Sequence, residues 1–484
     1  MRRPLKRILD VYIFAFTFLV ASRPLSDGDF WFHLKTGEYV WNTGLVPKQE
    51  LFSFTAYGNP WIAHGWLSGV IFYAVYSKVG LYPLMFIFAL LATFAFWIVF
   101  RRTVGHPLVV GFAIVLGIFT ALPNLGVRPR IFSLLFASIF LALLTNYAQY
   151  GKGRAIWWLV PLMVLWVNLH GGFIIGLLLI GLTLVGIPLD GWSEGKKVGA
   201  SWPRLRTLGL VLLGCIVAVA LNPYGIRMYA VPLDVLQTPV FLAKVVDFLS
   251  PNFHEREMLP FSLLALLTIS AFALSPKRVR PSQLLLFLAI FYSALQTQRN
   301  IMIFPLVAVP LFTEYFQNWL DSTSLAKVFT PSKTAQGPEQ RKVVLSVLLL
   351  LPLVFFAIQL KKVIYVPPKQ EIADAPIKAV EYMKQHQITG NTITVPNIWG
   401  GYLIWAASAN PVYIDGRNAY PIKFVEEYVM ITEGYRDWRA PFSKYDVRNA
   451  IVEKKSVMAR ELSEASDWQK VYEDEMAIVF VKRS

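Results

Sequence analysis

The sequence predicts a polytopic α-helical membrane protein with a small α/β domain at its C-terminal end. Hydrophobic residues make up 55% of the 484 positions and charged residues only 16%, and the mean hydropathy is +0.49. Apolar runs of helical length recur as far as residue 360, after which the composition becomes that of an ordinary folded domain. This combination excludes a soluble protein and is typical of a chain that crosses a bilayer many times.

Eleven apolar runs precede that change in composition. They occupy residues 8–22, 81–100, 107–123, 131–147, 156–169, 172–190, 207–221, 258–274, 283–296, 301–313 and 343–360. Several are shorter than the ~20 residues that a perpendicular helix needs, so their bounds are approximate. A further run at 62–79 is ambiguous. We therefore expect about 11 to 12 transmembrane helices.

The distribution of Lys and Arg predicts the orientation of these runs. If 62–79 does not cross the membrane, the loops on the N-terminal side carry 19 Lys and Arg in 74 residues, against 10 in 107 on the other side. Because positively charged loops stay in the cytoplasm, we expect residues 1–360 to form a multi-pass domain of the inner or plasma membrane with a cytoplasmic N-terminus. Residues 23–80 then form a long first extracytoplasmic loop, with 62–79 lying at the interface. A cleaved signal peptide is the alternative for 8–22, and the many later runs disfavour it.

Charge and cysteine content exclude two other classes of site. The net charge of +16 arises largely from Lys and Arg residues that punctuate the apolar runs, so we expect no nucleic-acid partner. The single cysteine, Cys215, lies inside an apolar run. It provides neither an intramolecular disulfide nor a thiolate metal cluster.

The predicted topology places the unusual polar residues of the membrane domain on the extracytoplasmic side. The first loop opens with SDGDFWFH, which contains Asp27, Asp29 and His33, and it also holds His64. The other loops on that side contribute Arg128, Arg130, Asn168, His170, Asn222, Tyr224, His254, Glu255, Gln296, Gln298, Arg299 and Asn300. Ionisable groups near a bilayer are costly, so this convergence indicates a site. Capping of helix ends at the headgroups is the alternative interpretation, above all for His254.

Carboxylates and arginines at a membrane edge suit the displacement of a lipid phosphate. A carboxylate can orient or deprotonate a nucleophile or hold a divalent metal, and an arginine can bind a phosphate through two hydrogen bonds. The pair Asp27 and Asp29 leaves a Mg or Mn site open, with structural ion pairing as the alternative. The sequence has no P-loop, no G-x-G-x-x-G after a strand and no H-E-x-x-H.

Residues 361–484 alternate between strand-like and helix-like patterns. The runs NTITV, NPVYIDG and EMAIVFV predict strands, and APIKAVEYMKQHQ and SVMARELSEAS predict helices. We expect an extracytoplasmic α/β domain, held against the outer loops by the tether KKVIYVPPKQ.

The segment from Asp29 to Lys35, DFWFHLK, followed by Glu38-Tyr39-Val40, resembles the catalytic-aspartate segment of oligosaccharyltransferase catalytic subunits. In those subunits an aspartate precedes aromatic residues, a basic residue and an E-Y-aliphatic run. They belong to the integral-membrane glycosyltransferases of the GT-C fold, which use polyprenyl-phosphate sugars. The resemblance implies a GT-C-like membrane domain with a long first outer loop and a C-terminal outer domain, and it implies that Asp29 is the catalytic aspartate, with Asp27 beside it.

A second resemblance lies in the C-terminal domain. The segment WGGY, which ends at Tyr402, leads to VYIDGRN, which contains Asp415, Arg417 and Asn418. It occupies the place where those subunits carry a tryptophan- and aspartate-containing acceptor motif. The W-W-D triad itself is missing, so transfer to an N-x-S/T peptide is not implied, and the chain resembles a separate bacterial branch of the superfamily. A tight turn that closes a strand is an equally good interpretation of the D-G pair.

The resulting prediction is a hexosyl- or pentosyltransferase that moves a sugar from a polyprenyl phosphate or diphosphate to a glycan, lipid or protein acceptor outside the cytoplasm. Its predicted catalytic residues are Asp29 and Asp27. Its predicted substrate-binding residues are His33, His64, Arg128, Asn168, His170, Arg299, Asn300, Tyr402, Asp415 and Arg417. The alternative is a lipid or sugar transporter or flippase without transferase activity. A transporter should place ionisable residues near the midplane of interrupted repeats, whereas here they gather on one side.

Overall fold

The computed structural model describes residues 3–25, 27–151, 153–196, 198–231, 248–324 and 375–483. The predicted run at 343–360 and the predicted tether lie outside the described residues. The chain forms two compact units. Within the described residues, the first unit comprises 3–23, 85–225 and 248–324, and the second comprises 24–84, 226–231 and 375–483.

Twelve described α-helices precede residue 325. They are α1 (Arg3–Ala21), α2 (Asp29–Thr43), α3 (Trp66–Val79), α4 (Leu81–Arg102), α5 (Pro107–Ala121), α6 (Arg130–Tyr150), α7 (Leu159–Leu169), α8 (Phe173–Ser193), α9 (Trp202–Val219), α10 (Leu259–Leu274), α11 (Pro281–Gln296) and α12 (Phe304–Ser322). Short 3₁₀ turns lie between them at Leu122–Asn124, Arg154–Trp158, Val198–Ser201, Gly225–Tyr229, Arg256–Met258 and Gln298–Ile303. Each predicted run within the described residues overlaps one of these helices.

Six described helices are long and apolar enough to cross a membrane. They are Leu81–Arg102, Pro107–Asn124, Arg130–Tyr150, Phe173–Ser193, Trp202–Val219 and Arg256–Leu274. Shorter apolar helices are Asp10–Ala21, Arg154–Leu169 and Pro281–Gln296. The ends of these helices lie at residues that favour a helix start or stop. Gly151, for example, takes φ 65° at the end of α6, where a left-handed residue closes the last turn.

Helices α2 and α3 of the second unit contact each other through their backbones. A Cβ atom on Gly37 would lie 1.9 Å from the carbonyl oxygen of Gly69, and one on Gly69 would lie 2.5 Å from the His33 carbonyl oxygen. Such distances are closer than any side chain allows, so both positions require glycine. Phe30 and Phe72 stack across the same contact, with ring centroids 5.5 Å apart. The predicted 62–79 run thus forms a helix from residue 66 that packs on the aspartate-bearing helix.

The C-terminal residues form a four-stranded sheet covered by helices. The elements are α13 (Ile377–Gln385), β1 (Thr392–Val395), α14 (Trp399–Ala406), α15 (Ile422–Thr432), α16 (Arg439–Lys444), β2 (Asn449–Glu453), α17 (Val457–Glu464), β3 (Trp468–Glu473) and β4 (Ala477–Lys482). The strand order is β1-β2-β4-β3, with β1 and β2 parallel and the other pairs antiparallel. The small α/β domain is therefore confirmed, although NPVYIDG makes only isolated bridges rather than a strand.

First-loop residues complete both apolar faces of this sheet. Phe32 of α2 packs in a core cluster with Trp399 and with alternate sheet residues such as Ile451. Ala56 packs in the cluster on the opposite face, with Tyr413. The backbone of residues 52–54 also pairs with Val412 through hydrogen bonds of 3.1 and 3.2 Å. Because one unit buries these surfaces together, the first loop and the C-terminal residues fold as one body.

Candidate functional site

Asp29 lies at the first position of α2, directly after Gly28. The partial positive charge of a helix N-terminus favours a carboxylate there. The backbone N–H of Asp29 donates to Asp27 Oδ1 at 3.1 Å, a local turn that orients the start of the helix. Both aspartates are partly exposed. The structure therefore gives Asp27 a positioning contact to the residue predicted to be catalytic.

The DGR segment contacts the Asp29 carboxylate. A Cβ atom on Gly416 would lie 2.6 Å from Asp29 Oδ1, so the glycine backbone itself lies against this oxygen. A larger residue at 416 would push the carboxylate aside. Two segments picked out separately in the sequence, at 29 and at 415–417, thus meet within the second unit.

The glycines of WGGY allow α14 to approach the same place. A Cβ atom on Gly400 would lie 2.9 Å from the Asp415 Cβ, and one on Gly401 would lie 3.1 Å from the Gly28 carbonyl oxygen. The next residue, Tyr402, packs edge-on against the Trp31 ring, with centroids 5.0 Å apart. Burial, with the charge of Glu381 and the nearby Tyr76, raises the pKa of Tyr402 to about 12. Tyr402 is therefore a neutral hydroxyl at ordinary pH.

Arg417 is the centre of a buried ion cluster. Its side chain is 1% exposed, and the Glu50 and Asp415 side chains are fully buried. Nε donates to both Asp415 carboxylate oxygens at 2.9 Å, and Nη2 donates to Asp415 Oδ2 at 2.6 Å and to Glu50 Oε1 at 2.7 Å. The guanidinium also faces the rings of Trp61 at 4.9 Å and Phe52 at 5.0 Å. The cluster joins the first loop to the C-terminal residues.

Glu50 uses all of its acceptor capacity in this cluster. Besides Arg417, its carboxylate accepts from the backbone N–H of Phe52 at 2.8 Å and from the N–H and hydroxyl of Ser53 at 2.9 and 2.7 Å. Burial alone would lower the pKa of Arg417, but Asp415, Tyr420 and Glu50 raise it well above its ordinary value. Arg417 is a permanent cation that fixes the geometry of the DGR turn.

His33 and His64 line one small cavity beside Arg417. The cavity has a volume of about 30 Å³, and Trp61 and Asn418 also line it. Burial, together with the charges of His64 and Arg417, lowers the pKa of His33 to about 3. His33 is therefore neutral at ordinary pH, with one ring nitrogen as donor and the other as acceptor.

The other predicted polar residues belong to the first unit, where several form structural contacts. The Asn168 side chain donates to the Leu221 carbonyl oxygen at 3.2 Å and accepts from Asn222 at 3.1 Å, so the NLHGG and LNPYG motifs bind each other. His170 Nδ1 accepts from the Gly172 N–H at 3.1 Å and lies 2.7 Å from Ser133 Oγ. Because Nδ1 acts as an acceptor, the ring carries its proton on Nε2.

The predicted arginines of this unit differ in their surroundings. Arg130 is buried and donates to Asn124 Oδ1 at 2.7 Å, which makes it a structural residue. Arg128 is partly exposed. The Arg299 guanidinium lies 4.8 Å from the Phe248 ring centroid, and Asn300 donates to Ser293 Oγ at 2.9 Å. Arg299 and Asn300 lie in the 3₁₀ turn Gln298–Ile303, and His254 is exposed.

Asp27 and Asp29 offer two carboxylates to a metal. Among the described residues, no group of three or more His, Cys, Asp or Glu side chains is arranged to hold one. Mg²⁺ often takes only one or two protein carboxylates and completes its shell with water and substrate phosphate oxygens. The pair fits Mg²⁺ or Mn²⁺ on that condition.

The sequence did not point to Glu50 or to Ser133. Glu50 precedes LFSFT in a polar stretch, and Ser133 lies within an apolar run. Neither belongs to a recognisable motif, and each becomes visible only through its partner, Arg417 or His170. The run of alternating aromatic residues after Glu50 was the one available signal that this stretch is buried.

The structure is similar to the crystal structure of the oligosaccharyltransferase of Archaeoglobus fulgidus, determined with a tethered acceptor peptide that contains the NVT sequon. The match covers 92% of this chain and 69% of that chain, with a TM-score of 0.55. The chain has a GT-C-type fold. The sequence identity is 12%, so the likeness concerns the fold. No family model and no curated protein matches the chain. The polytopic GT-C fold predicted from the sequence is confirmed.

Proposed function

We propose that this GT-C protein transfers a sugar from a polyprenyl-phosphate-linked donor to an acceptor on the extracytoplasmic side of the membrane. The observation that carries the proposal is the contact of Gly416 with Asp29 Oδ1. Through this contact, the buried ion cluster of Arg417, Asp415 and Glu50 holds the backbone against a carboxylate at a helix N-terminus. Such rigid support of one partly exposed carboxylate is what a catalytic group needs.

Asp29 is the group that receives the acceptor's proton. The acceptor oxygen or nitrogen forms a bond to the anomeric carbon, the bond from that carbon to the phosphate oxygen breaks, and the proton of the nucleophile passes to Asp29. The lipid phosphate leaves with the electron pair of the broken bond. General-base assistance of this kind contributes about 10² to 10⁴ in rate. A Mg²⁺ or Mn²⁺ ion held by Asp27 and Asp29 would supply positive charge for the leaving phosphate.

We assign the donor phosphate to arginines of the first unit. Arg128 and Arg299 are partly exposed, and a guanidinium matches phosphate oxygens with two parallel hydrogen bonds. Asn300 adds an amide donor, and His170 adds an Nε2–H donor. Arg23 lies close enough to be affected by the same charges: burial lowers its pKa, the charge of Glu257 opposes that shift, and the charge of Arg128 adds to it.

We propose the orientation that the Lys and Arg distribution predicts, with a cytoplasmic N-terminus and with residues 23–80 and 361–484 outside. The acceptor is then a glycan, lipid or protein of the extracytoplasmic face. Because Gly400 and Gly401 stand where the W-W-D triad is expected, we do not propose transfer to an N-x-S/T peptide.

The decisive experiment compares Asp29→Asn with Asp27→Asn. Asparagine at 27 retains the Oδ1 acceptor for the Asp29 N–H, so this variant keeps the turn and serves as the matched control. Radiolabelled polyprenyl-phosphate sugars are offered to both variants in purified membranes with endogenous acceptors. We expect transfer by Asp29→Asn to fall by about 10² or more and transfer by Asp27→Asn to fall less, because the second variant keeps the Asp29 base and weakens only the proposed metal contact.

Other outcomes revise the proposal in defined ways. Near-normal transfer by Asp29→Asn would exclude Asp29 as the base. Loss of transfer in Asp27→Asn alone would identify Asp27 as the base instead. Movement of the labelled lipid or sugar across the membrane without any transfer product would indicate a transporter.

A further inference from the structure

The cavity beside Arg417 has room for oxygen atoms but not for a whole sugar ring. A buried water needs at least about 10 to 15 Å³ of such volume, so about 30 Å³ accommodates one or two hydroxyl-sized groups. Phe32 and Trp66 also contribute to its walls. Aromatic walls with a few polar groups are typical of ligand sites. A ring would lie at the mouth and insert a substituent.

Arg417 keeps one nitrogen unsatisfied next to this cavity. A guanidinium has five N–H donors. Nε and Nη2 are used by Asp415, Glu50 and the Tyr420 hydroxyl, which lies 3.1 Å from Nη2. Nη1 is buried and has no hydrogen-bond partner among the described residues. Leaving a buried charged donor unpaired is costly, so an acceptor atom supplied from outside the chain would be stabilised there.

The charges around the cavity favour a neutral acceptor atom. One guanidinium faces two buried carboxylates, Glu50 and Asp415, so the cluster carries a net negative charge. His33 adds no positive charge, because its pKa is lowered to about 3. A phosphate would meet like charges at this position, and like charges in contact are unfavourable. A hydroxyl oxygen accepts from Nη1 without that penalty and can also donate to a neutral imidazole nitrogen.

We propose that this cavity is a subsite for a hydroxyl group of a neutral sugar, bound by Arg417 Nη1 and the imidazoles of His33 and His64. The assignment rests on the proposed glycosyl transfer for its biological meaning. The sugar is either the one that the lipid carries or one in the acceptor glycan, and both present the same hydroxyl chemistry. Arg417 thus discriminates substrates as well as holding the DGR turn.

The test fills the cavity without touching the ion cluster. Ala63 lines the cavity and is 4% exposed, so Ala63→Val occupies the space that a hydroxyl would take. Ala440→Val makes the same change at an exposed position and is the matched control. Asn418→Ala, at an exposed lining residue, is a second variant that does not endanger the core. Purified full-length proteins are titrated with methyl glycosides of common hexoses and pentoses and with inorganic phosphate, using tryptophan fluorescence.

We expect at least one methyl glycoside to give a saturable response in the wild type and in Ala440→Val. Its affinity should fall about tenfold or more in Ala63→Val, the loss of one hydrogen bond to a charged donor, and should fall in Asn418→Ala. Phosphate should give no response that depends on Ala63. Three results would each overturn the subsite. They are no response to any methyl glycoside, sugar binding that is unchanged in both cavity variants, and phosphate binding that is lost in Ala63→Val.

Transfer kinetics measured in parallel separate this inference from the proposed function. A raised KM for the lipid-linked donor in Ala63→Val identifies the transferred sugar as the ligand, and a raised KM for the acceptor identifies the acceptor glycan. If transfer depends on Asp29 but the KM values are unchanged in Ala63→Val, the subsite proposal is wrong and the proposed transferase function is retained. Cavity-dependent sugar binding without transfer from any lipid-linked donor would support the subsite and overturn the transferase.

Discussion

Removal of the Arg417 charge should destabilise the second unit more than any surface ion-pair change. Arg417→Met retains an unbranched side chain of similar length but leaves the Glu50 and Asp415 carboxylates buried without a cation. Breaking a buried ion pair by removing one partner costs about 3 to 5 kcal/mol. The cation–π contacts to Trp61 and Phe52 are lost as well, and they overlap with this figure because they belong to the same group. Whole domains are stable by only about 5 to 15 kcal/mol.

Hydrogen–deuterium exchange of the amides in β2 and β4 measures this loss within the unit itself. Exchange through unfolding should become faster by roughly two to nearly four orders of magnitude, since each 1.4 kcal/mol is a factor of about ten. Arg448→Met is the matched control. Arg448 pairs with Asp446 at 2.8 Å, but both side chains are more than half exposed, so the change should stay within about 1 kcal/mol.

The same exchange assay can test whether the destabilisation comes from the two unpaired carboxylate charges. The triple variant Arg417→Met, Glu50→Gln and Asp415→Asn removes both orphaned charges, so its exchange should be slower than that of Arg417→Met. Equal exchange in Arg417→Met and Arg448→Met would refute the reasoning outright. A triple variant no more protected than the single one would assign the loss to packing rather than to charge.

Three further predictions concern pH, the donor and topology. The folded-state pKa of His33 is lowered to about 3, from about 6.5 in the unfolded chain. The contribution of neutral His33 to the free energy of unfolding should therefore be fully present above pH 6.5 and decrease as the pH falls, by at most about 1.4 kcal/mol per pH unit. Denaturation measured from pH 7 to 4.5 checks this, and an equal slope in His33→Asn would contradict it. Arg299→Lys should weaken binding of a polyprenyl-phosphate sugar while leaving expression intact, because lysine lacks the planar fork, and unchanged affinity in a filter-binding assay would make Arg299 structural. Cysteines placed at Lys35, Lys78 and Lys444 should react with an impermeant reagent in intact cells, and protection at Lys78 would mean that residues 62–79 cross the membrane.

The helices and the sheet were predictable because their signals are local. Apolar runs separated by charged residues fixed the positions of helices such as α4, α6 and α8, since a spanning helix must satisfy its backbone within itself. Residues 392–395 alternate polar and apolar residues and form β1, and the short apolar run at 477–482, rich in β-branched residues, forms β4. The segment 412–418 did not become a strand, because Val412 bridges to Ser53 and to Thr392 one residue at a time.

The assembly of the candidate site was predictable only in part. Asp29, Asp415 and Arg417 were recognised one at a time from motifs, but nothing local links residue 29 to residue 416. That contact depends on glycines at 400, 401 and 416, which allow the backbone to approach closely because they have no side chain. Such glycines produce no periodic pattern in the sequence. Glu50 was missed for a related reason: a lone acidic residue in a loop is usually solvated, and only the tertiary structure brings Arg417 to it.

The same glycines bear on the acceptor. If residue 400 were the tryptophan of a W-W-D triad, its Cβ atom would lie 2.9 Å from the Cβ atom of Asp415. The carboxylate of Asp415 accepts hydrogen bonds from both Nε and Nη2 of Arg417. An aspartate at 401 would press on the Gly28 carbonyl oxygen at the entrance to α2. The chain therefore cannot acquire that triad by substitution without displacing either the ion cluster or the start of the helix that carries Asp29. Close backbone packing and an aromatic triad are therefore alternative structures at this position. Under the proposed function, we expect acceptor recognition to use other groups, such as Arg417 Nη1, His33 and His64.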